Sequence, residues 1–256
     1  MKKIKLSFIV ANYNTSDLTI RCVKSILDNC NMTNKQIIMV DDFSRKEESD
    51  KLISFWKNTD YKYVIELIIL KENKGIGNAM NEGIKHSSGQ CVIRLDNDTE
   101  IIEKDFDETL VKFLMWDEKL GLVSCLTDNI SSPAQRIIIP ETFKGNNEQT
   151  LNYIKDRDIE ELKYYSEPKH CFAGFCMCFR KEDYDKIGGF SVKTKILLED
   201  NLFYLDMIDL KMKCAVAQKL FINHLYHGTI GNFTKEELEQ NSIKARELFL
   251  ERVNKK

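Results

Sequence analysis

Asp96-Asn97-Asp98 is the clearest chemical feature in the 256-residue chain. It closes a largely apolar run, Cys91 to Leu95, that reads as a buried strand. Alternate side chains of an extended segment share a face, so Asp96 and Asp98 can address one centre. Carboxylates that close repel each other unless a cation lies between them or one holds a proton. Their oxygens suit Mg²⁺ or Mn²⁺, and an ion held by one or two carboxylates keeps positions for substrate phosphates. An acidic surface turn is the plainer alternative; the place at a strand end favours the metal. A calcium loop of EF-hand type is excluded, because Ile101 stands where that loop requires glycine. Gly75-Ile76-Gly77 also follows a strand, but Met80 occupies the third glycine position of a dinucleotide fingerprint. Eight cysteines are scattered with no CxxC pair, which argues against structural zinc and for small buried hydrophobes. Cys176 and Cys178 should share one strand face.

The elements that must position these groups alternate. Leu6 to Ala11 is a buried strand broken by Asn12-Tyr13-Asn14, and a helix follows from Ser16, capped by Thr15 or Ser16. A second strand, Gln36 to Val40, ends in Asp41-Asp42, before a helix over about Glu47 to Trp56. A third, Val64 to Leu70, runs into Asn73-Lys74-Gly75, and a helix to His86 leads to the fourth. This order calls for a parallel sheet wrapped on both faces, with ligands beyond the carboxyl ends of the strands. The polar clusters all occur at those ends. The second half is less regular: a helix from Phe106 to Trp116, strands over Leu122 to Leu126, Cys171 to Phe179 and Ala215 to Ile222, and a helix opening at Glu199-Asp200. Ser131 to Pro168 reads as an irregular or partly helical insert, suited to an acceptor wall. Lys235 to Val253 is a charged amphipathic helix with Leu238, Ile243, Leu248, Phe249 and Val253 roughly on one side, as for core docking or a dimer.

A net charge of -2 gives no reason to expect nucleic acid as partner. The first apolar run is shorter than a secretory core of about 7–15 residues. No stretch approaches the roughly 20 apolar residues that span a bilayer. The expectation is a cytoplasmic protein with no transmembrane segment, at most in peripheral contact with the inner face of a membrane.

In order along residues 4 to 230, the chain resembles inverting glycosyltransferase family 2, with its GT-A fold. The matching stretches are Ser7 to Asn14, Val40-Asp41-Asp42-Phe43-Ser44, Asn73-Lys74-Gly75, Ala79 to Gly83, Leu95 to Thr99, Phe172 to Phe175, Ile187 to Phe190, Glu199-Asp200 and His227 before Gly228-Thr229. The resemblance implies an α/β transferase domain over 1–230, with a nucleotide-sugar half (1–100), an acceptor and catalytic half (101–230), and a C-terminal helix (231–256). It implies that Ala11, Asn12 and Tyr13 pack beside the base, that Asp41 bonds the base, and that Asn73, Lys74 and Gly75 lie near the nucleotide. Lys74 also reads simply as a solvated lysine. The resemblance further implies that Asp96, Asn97 and Asp98 hold metal and ribose-diphosphate, with Asp98 the direct ligand.

An acceptor hydroxyl is a poor nucleophile and needs a carboxylate to take its proton. The resemblance makes Asp200 that base, with Glu199 as runner-up or support; a negatively charged first helical turn is the structural alternative. His227 completes the metal shell in this reading, and His224 is the alternative three residues earlier; imidazole suits Mn²⁺ better than Mg²⁺. His86 and His170 read as structural. Relatives often carry an aspartate and then an arginine after the base, where this chain has Leu202 and Asp206. The implied activity is transfer of a sugar, with inversion, from a UDP- or dTDP-sugar to a hydroxyl of a glycan, lipid-linked or protein acceptor in surface glycan synthesis. The departure after Asp200 raises a second expectation, a non-catalytic nucleotide-sugar or glycan-binding module. Nucleotidyl transfer is disfavoured by the lack of a glycine-rich basic loop near the N-terminus.

Overall fold

Apolar runs without alternation fold as strands covered on both faces. The structure, a computed structural model, describes residues 6–225 and 230–254. β1 (Leu6–Asn12), α1 (Ser16–Asn29), β2 (Lys35–Asp41), α2 (Lys46–Asn58), β3 (Ile65–Ile69), α3 (Ile76–His86) and β4 (Cys91–Leu95) form the expected alternation. β5 (Thr99–Ile101), α4 (Phe106–Trp116), β6 (Leu120–Leu126), α5 (Asn147–Lys155), β7 (Leu162–Tyr165), β8 (Cys176–Arg180), α6 (Lys181–Ile187), α7 (Glu199–Asp209), β9 (Lys213–His224) and α8 (Lys235–Asn254) complete the chain. The central sheet runs β3-β2-β1-β4-β8-β6-β9-β5, with β7 beside β9. β1 to β4 are parallel, and β8 inserts antiparallel between β4 and β6. This is a mostly parallel sheet flanked by helices, as the GT-A resemblance implies.

Period-2 alternation divides the core. Phe8 and Val10 of β1 pack with α1 and α4 on one side, while Ile9 packs with α3 and α7 on the other. Cys176 and Cys178 share the first of these sides, both fully buried.

Several boundaries move. The strand expected from Cys171 begins only at Cys176, because the preceding residues form a loop whose Phe175 carbonyl accepts from Asp96 N. The insert expected to be irregular carries α5 and β7, and β7 pairs antiparallel with β9. β5 has only three residues, too few for a period to show. Along α8, Ala245, Leu248, Phe249 and Val253 pack on the second core, but Ile243, expected on the same side, is 54% exposed. Asp206, at a position of departure from the family pattern, accepts from Arg252 Nη2 of α8 at 2.7 Å. Leu202, at the other, is a buried core residue. Among the described residues, no helix is long and apolar enough to cross a membrane.

Candidate active site

The carboxyl ends of β1, β2 and β4, the first turn of α7 and the end of β9 surround one cleft of about 710 Å³. Asp96, Asn97 and Asp98 line it directly after β4. His224, the last residue of β9, reaches Asp98 Oδ1 with Nε2 at 3.2 Å. One ligand atom from each of Asp96, Asp98 and His224 falls within 4.8 Å of the others. Nδ1 of His224 lies 2.9 Å from the Asn129 carbonyl oxygen and donates to it, which directs Nε2 at the carboxylates. Burial opposes protonation of this ring, but the bond to Asp98 and the charge of Asp96 prevail and raise its pKa. The three groups gathered here have the chemistry that suits a cation. His227, expected as the ligand, lies outside the described residues; the imidazole placed at Asp98 is its alternative, His224.

On the donor side, Ala11, Asn12, Tyr13, Asn73 and Gly75 line the cleft. Asn97 is held by its own amide, which donates to Thr15 Oγ1 at 2.7 Å and Thr19 Oγ1 at 2.9 Å. Asp41, expected at the base, does not line the cleft. It is fully buried, and its carboxylate accepts from Asn12 Nδ2, Ser44 Oγ and Ser49 Oγ. Consecutive residues at a strand end face opposite ways, and here Asp42 faces the cleft. Its carboxylate accepts from Gly75 N at 2.8 Å and Lys74 N at 3.1 Å. Burial nonetheless raises its pKa, more than these two bonds lower it. Lys74 points away and pairs with Glu72.

On the opposite wall, Asp200 stands in the first turn of α7. Its Oδ2 accepts from Gly174 N and its Oδ1 from Asn201 N, both at 2.7 Å. Burial first and the neighbouring Glu199 second push this carboxyl up to about 7, against the opposing charge of Arg94. A carboxyl there changes charge in the range where a general base operates. The two residues before the pair, Leu197 and Leu198, adopt φ of 69° and 82°. Left-handed backbone at successive non-glycine residues is strained, and such strain gathers at functional sites.

The loop over 191–198 reaches this position by lying on α3. A Cβ on Gly75 would fall 2.3 Å from the Lys195 carbonyl oxygen, and one on Gly77 would fall 2.1 Å from that of Ser191. Gly75-Ile76-Gly77 thus makes room for the backbone that presents Glu199-Asp200. His86 is a surface residue beside Glu66, and His170 packs edge-on to Tyr165; neither lines the cleft.

Three groups at the cleft have no place in the site that the sequence implies. Arg94 is 2% exposed and donates to Glu199 Oε1 at 2.7 Å. Its signal was a charged residue inside a buried strand, two positions before Asp96. Asp42 is the second. The third is the C-terminal segment, whose Phe233 lies 5.6 Å from the Tyr13 ring and whose Phe249 also lines the cleft. No local pattern ties residues so distant in sequence to Tyr13.

A sheet of this order, with carboxylates and an imidazole gathered where β4 ends, defines the GT-A class of nucleotide-sugar transferase folds. The chain belongs to glycosyl transferase family 2, whose model matches residues 7–188. It is 34% identical over 119 residues to the poly-beta-1,6-N-acetyl-D-glucosamine synthase of Staphylococcus epidermidis, an alignment covering 46% of this chain and 27% of that protein. It thus spans about a quarter of the length of this curated relative. Among solved structures, a mannosyltransferase from Pyrobaculum calidifontis in complex with GDP-Man and Mn²⁺ has a TM-score of 0.67 at 17% identity, over 94% of this chain and 62% of that one. Staphylococcus aureus TarS in complex with UDP has a TM-score of 0.64 at 16% identity, over 94% and 64%. The domain is that of a glycosyltransferase.

Proposed function

We propose that the protein transfers a sugar, with inversion, from a nucleoside diphosphate sugar to an acceptor hydroxyl in the synthesis of a surface glycan or glycoconjugate, with UDP- and dTDP-sugars as the favoured donors. One observation carries the reading: Asp96, Asp98 and His224 face Asp200 across a single cleft. The family, the polysaccharide synthase relative, and the nucleotide and Mn²⁺ in complex with similar structures support it. Two carboxylates and an imidazole whose ligand atoms already converge fit Mn²⁺. The chemistry a bound cation supplies is neutralisation of charge on the departing diphosphate. Asp42 and the segment from Ala11 to Tyr13 hold the nucleoside end. Asp200 takes the proton from the acceptor hydroxyl as that oxygen attacks the sugar carbon, and the backbone N–H groups of Gly174 and Asn201 fix its orientation. Leu202 and Asp206, which raise the thought of a non-catalytic module, serve the core and the anchoring of α8.

The test is release of nucleoside diphosphate from a panel of UDP- and dTDP-sugars. Release is expected to be stimulated by Mn²⁺ and lost in Asp98→Asn. Flat calorimetry with every donor in the presence of Mn²⁺ would refute the reading.

A further inference from the structure

The guanidinium of Arg94 sits between the two halves of the cleft. It donates to Glu199 Oε1 at 2.7 Å and approaches Asp96 Oδ1 at 3.3 Å from the same nitrogen. Both members of the closer pair are buried, with side chains 2% and 5% exposed. One face of the guanidinium lies over the Phe190 ring, 5.1 Å from its centre. On another side a Cβ at Gly174 would fall 2.4 Å from Nη2 and 2.5 Å from Cζ, so a larger residue there must displace the guanidinium. That same Gly174 donates its N–H to Asp200. A buried charge this enclosed persists only when paired. Its pairing partners are Asp96, directly after β4, and Glu199, in the first turn of the helix that carries Asp200.

We propose that Arg94 and Glu199 are positioning residues of the transfer reaction, an ion pair that fixes the first turn of α7 against the end of β4 and so sets Asp200 opposite the Asp96–Asp98 pair. This rests on the transferase reading above. Glu199 then serves Arg94, while Asp200 alone takes the proton. One nitrogen makes both contacts, so a lysine ammonium should keep part of the pairing, but it lacks the planar group that lies over Phe190. Losing the pair leaves Asp96, Asp98 and His224 in place but frees the base to move, and a displacement near 1 Å can cost about a hundredfold in rate.

The experiment compares wild type with Arg94→Met, Arg94→Lys, Glu199→Gln, Gly174→Ala and Asp200→Asn. Nucleoside diphosphate release under saturating donor gives kcat, and calorimetry with UDP and Mn²⁺ reports the folded donor site. Arg94→Met is expected to lose about a hundredfold in kcat while UDP–Mn²⁺ affinity holds or tightens, since a positive charge has left the neighbourhood of Asp96. Arg94→Lys should recover about tenfold of that loss. Gly174→Ala should resemble Arg94→Met. Glu199→Gln should lose about tenfold, because a neutral hydrogen bond replaces a charged one, and Asp200→Asn about a thousandfold. The inference is overturned if Arg94→Met keeps wild-type kcat, if affinity falls in step with kcat, or if Glu199→Gln is as inactive as Asp200→Asn, which would make Glu199 the base. A wild type that releases no nucleoside diphosphate at all sinks the transferase reading itself, and the two failures are thereby told apart.

Discussion

Below neutral pH the rate should follow the ionisation of Asp200. A general base acts only as the carboxylate, and burial together with Glu199 pushes this carboxyl up to about 7. The charged groups around it are Glu199 and Asp96, which raise its pKa, and Arg94, which lowers it; the Asn201 N–H also lowers it. At pH 6 roughly one tenth of such a group is ionised, and at pH 5 about one hundredth. The profile of kcat/KM, which reports the free enzyme, is therefore expected to rise about tenfold per unit up to a bend near 7. Glu199→Gln removes the negative neighbour second in weight only to burial, so its bend should move to lower pH. Raising Mn²⁺ brings positive charge to the far side of the cleft and should move the bend the same way. The assay is initial rate of nucleoside diphosphate release from pH 5 to 8.5, with stability checked at each end. A flat profile, a rate that falls as pH rises, or a bend that moves up in Glu199→Gln would refute the assignment of Asp200 as a base held high by burial and its neighbour.

Other perturbations follow from the same geometry. His224→Ala removes one of three converging ligands and should weaken Mn²⁺ by about 10- to 100-fold in titration calorimetry, with unfolding still cooperative. Lys35 pairs with fully buried Asp107 at 2.5 Å, and Asp107→Asn leaves an ammonium buried without its closest countercharge. That change should cost about 3–5 kcal/mol in urea unfolding; a loss under 1 kcal/mol would show that Glu108 suffices as partner. Gly77→Ala drives a methyl into the Ser191 carbonyl and should cost about 1–3 kcal/mol, with a lower kcat from displacement of the loop ahead of Glu199. Without metal, Asp200→Asn should melt higher than wild type at pH 8 but not at pH 4. A carboxyl with a raised folded pKa favours the fold below its unfolded value of 3.8 and loses that contribution as pH climbs through about 7.

Local chemistry in the chain was enough to read the strand–helix alternation through β4 and the metal-type pair at its end. A buried parallel strand must be continuously apolar, and a polar cluster directly after one must lie at the ligand-binding rim. The amphipathic period of α8 was equally plain, and Leu248, Phe249 and Val253 pack on the core as it implied, while nearer the start of the helix Ala245 faces inward and Ile243 outward. Three features depended on the assembled sheet. Asp41 and Asp42 are adjacent and alike, and whether β2 turns the first or the second to the cleft is decided by its register with β1 and β3. His224 meets Asp98 because β9 pairs with β5 across more than a hundred residues of chain, a partnership no local period encodes. Arg94 looks like an interruption in an apolar strand until β4 and α7 are brought together, when Glu199 supplies the opposite charge at 2.7 Å. Spacing along the chain settles what lies within a turn or a strand of a residue, whereas long-range pairing and packing, favourable only once the whole core is buried, settle which of these groups meet.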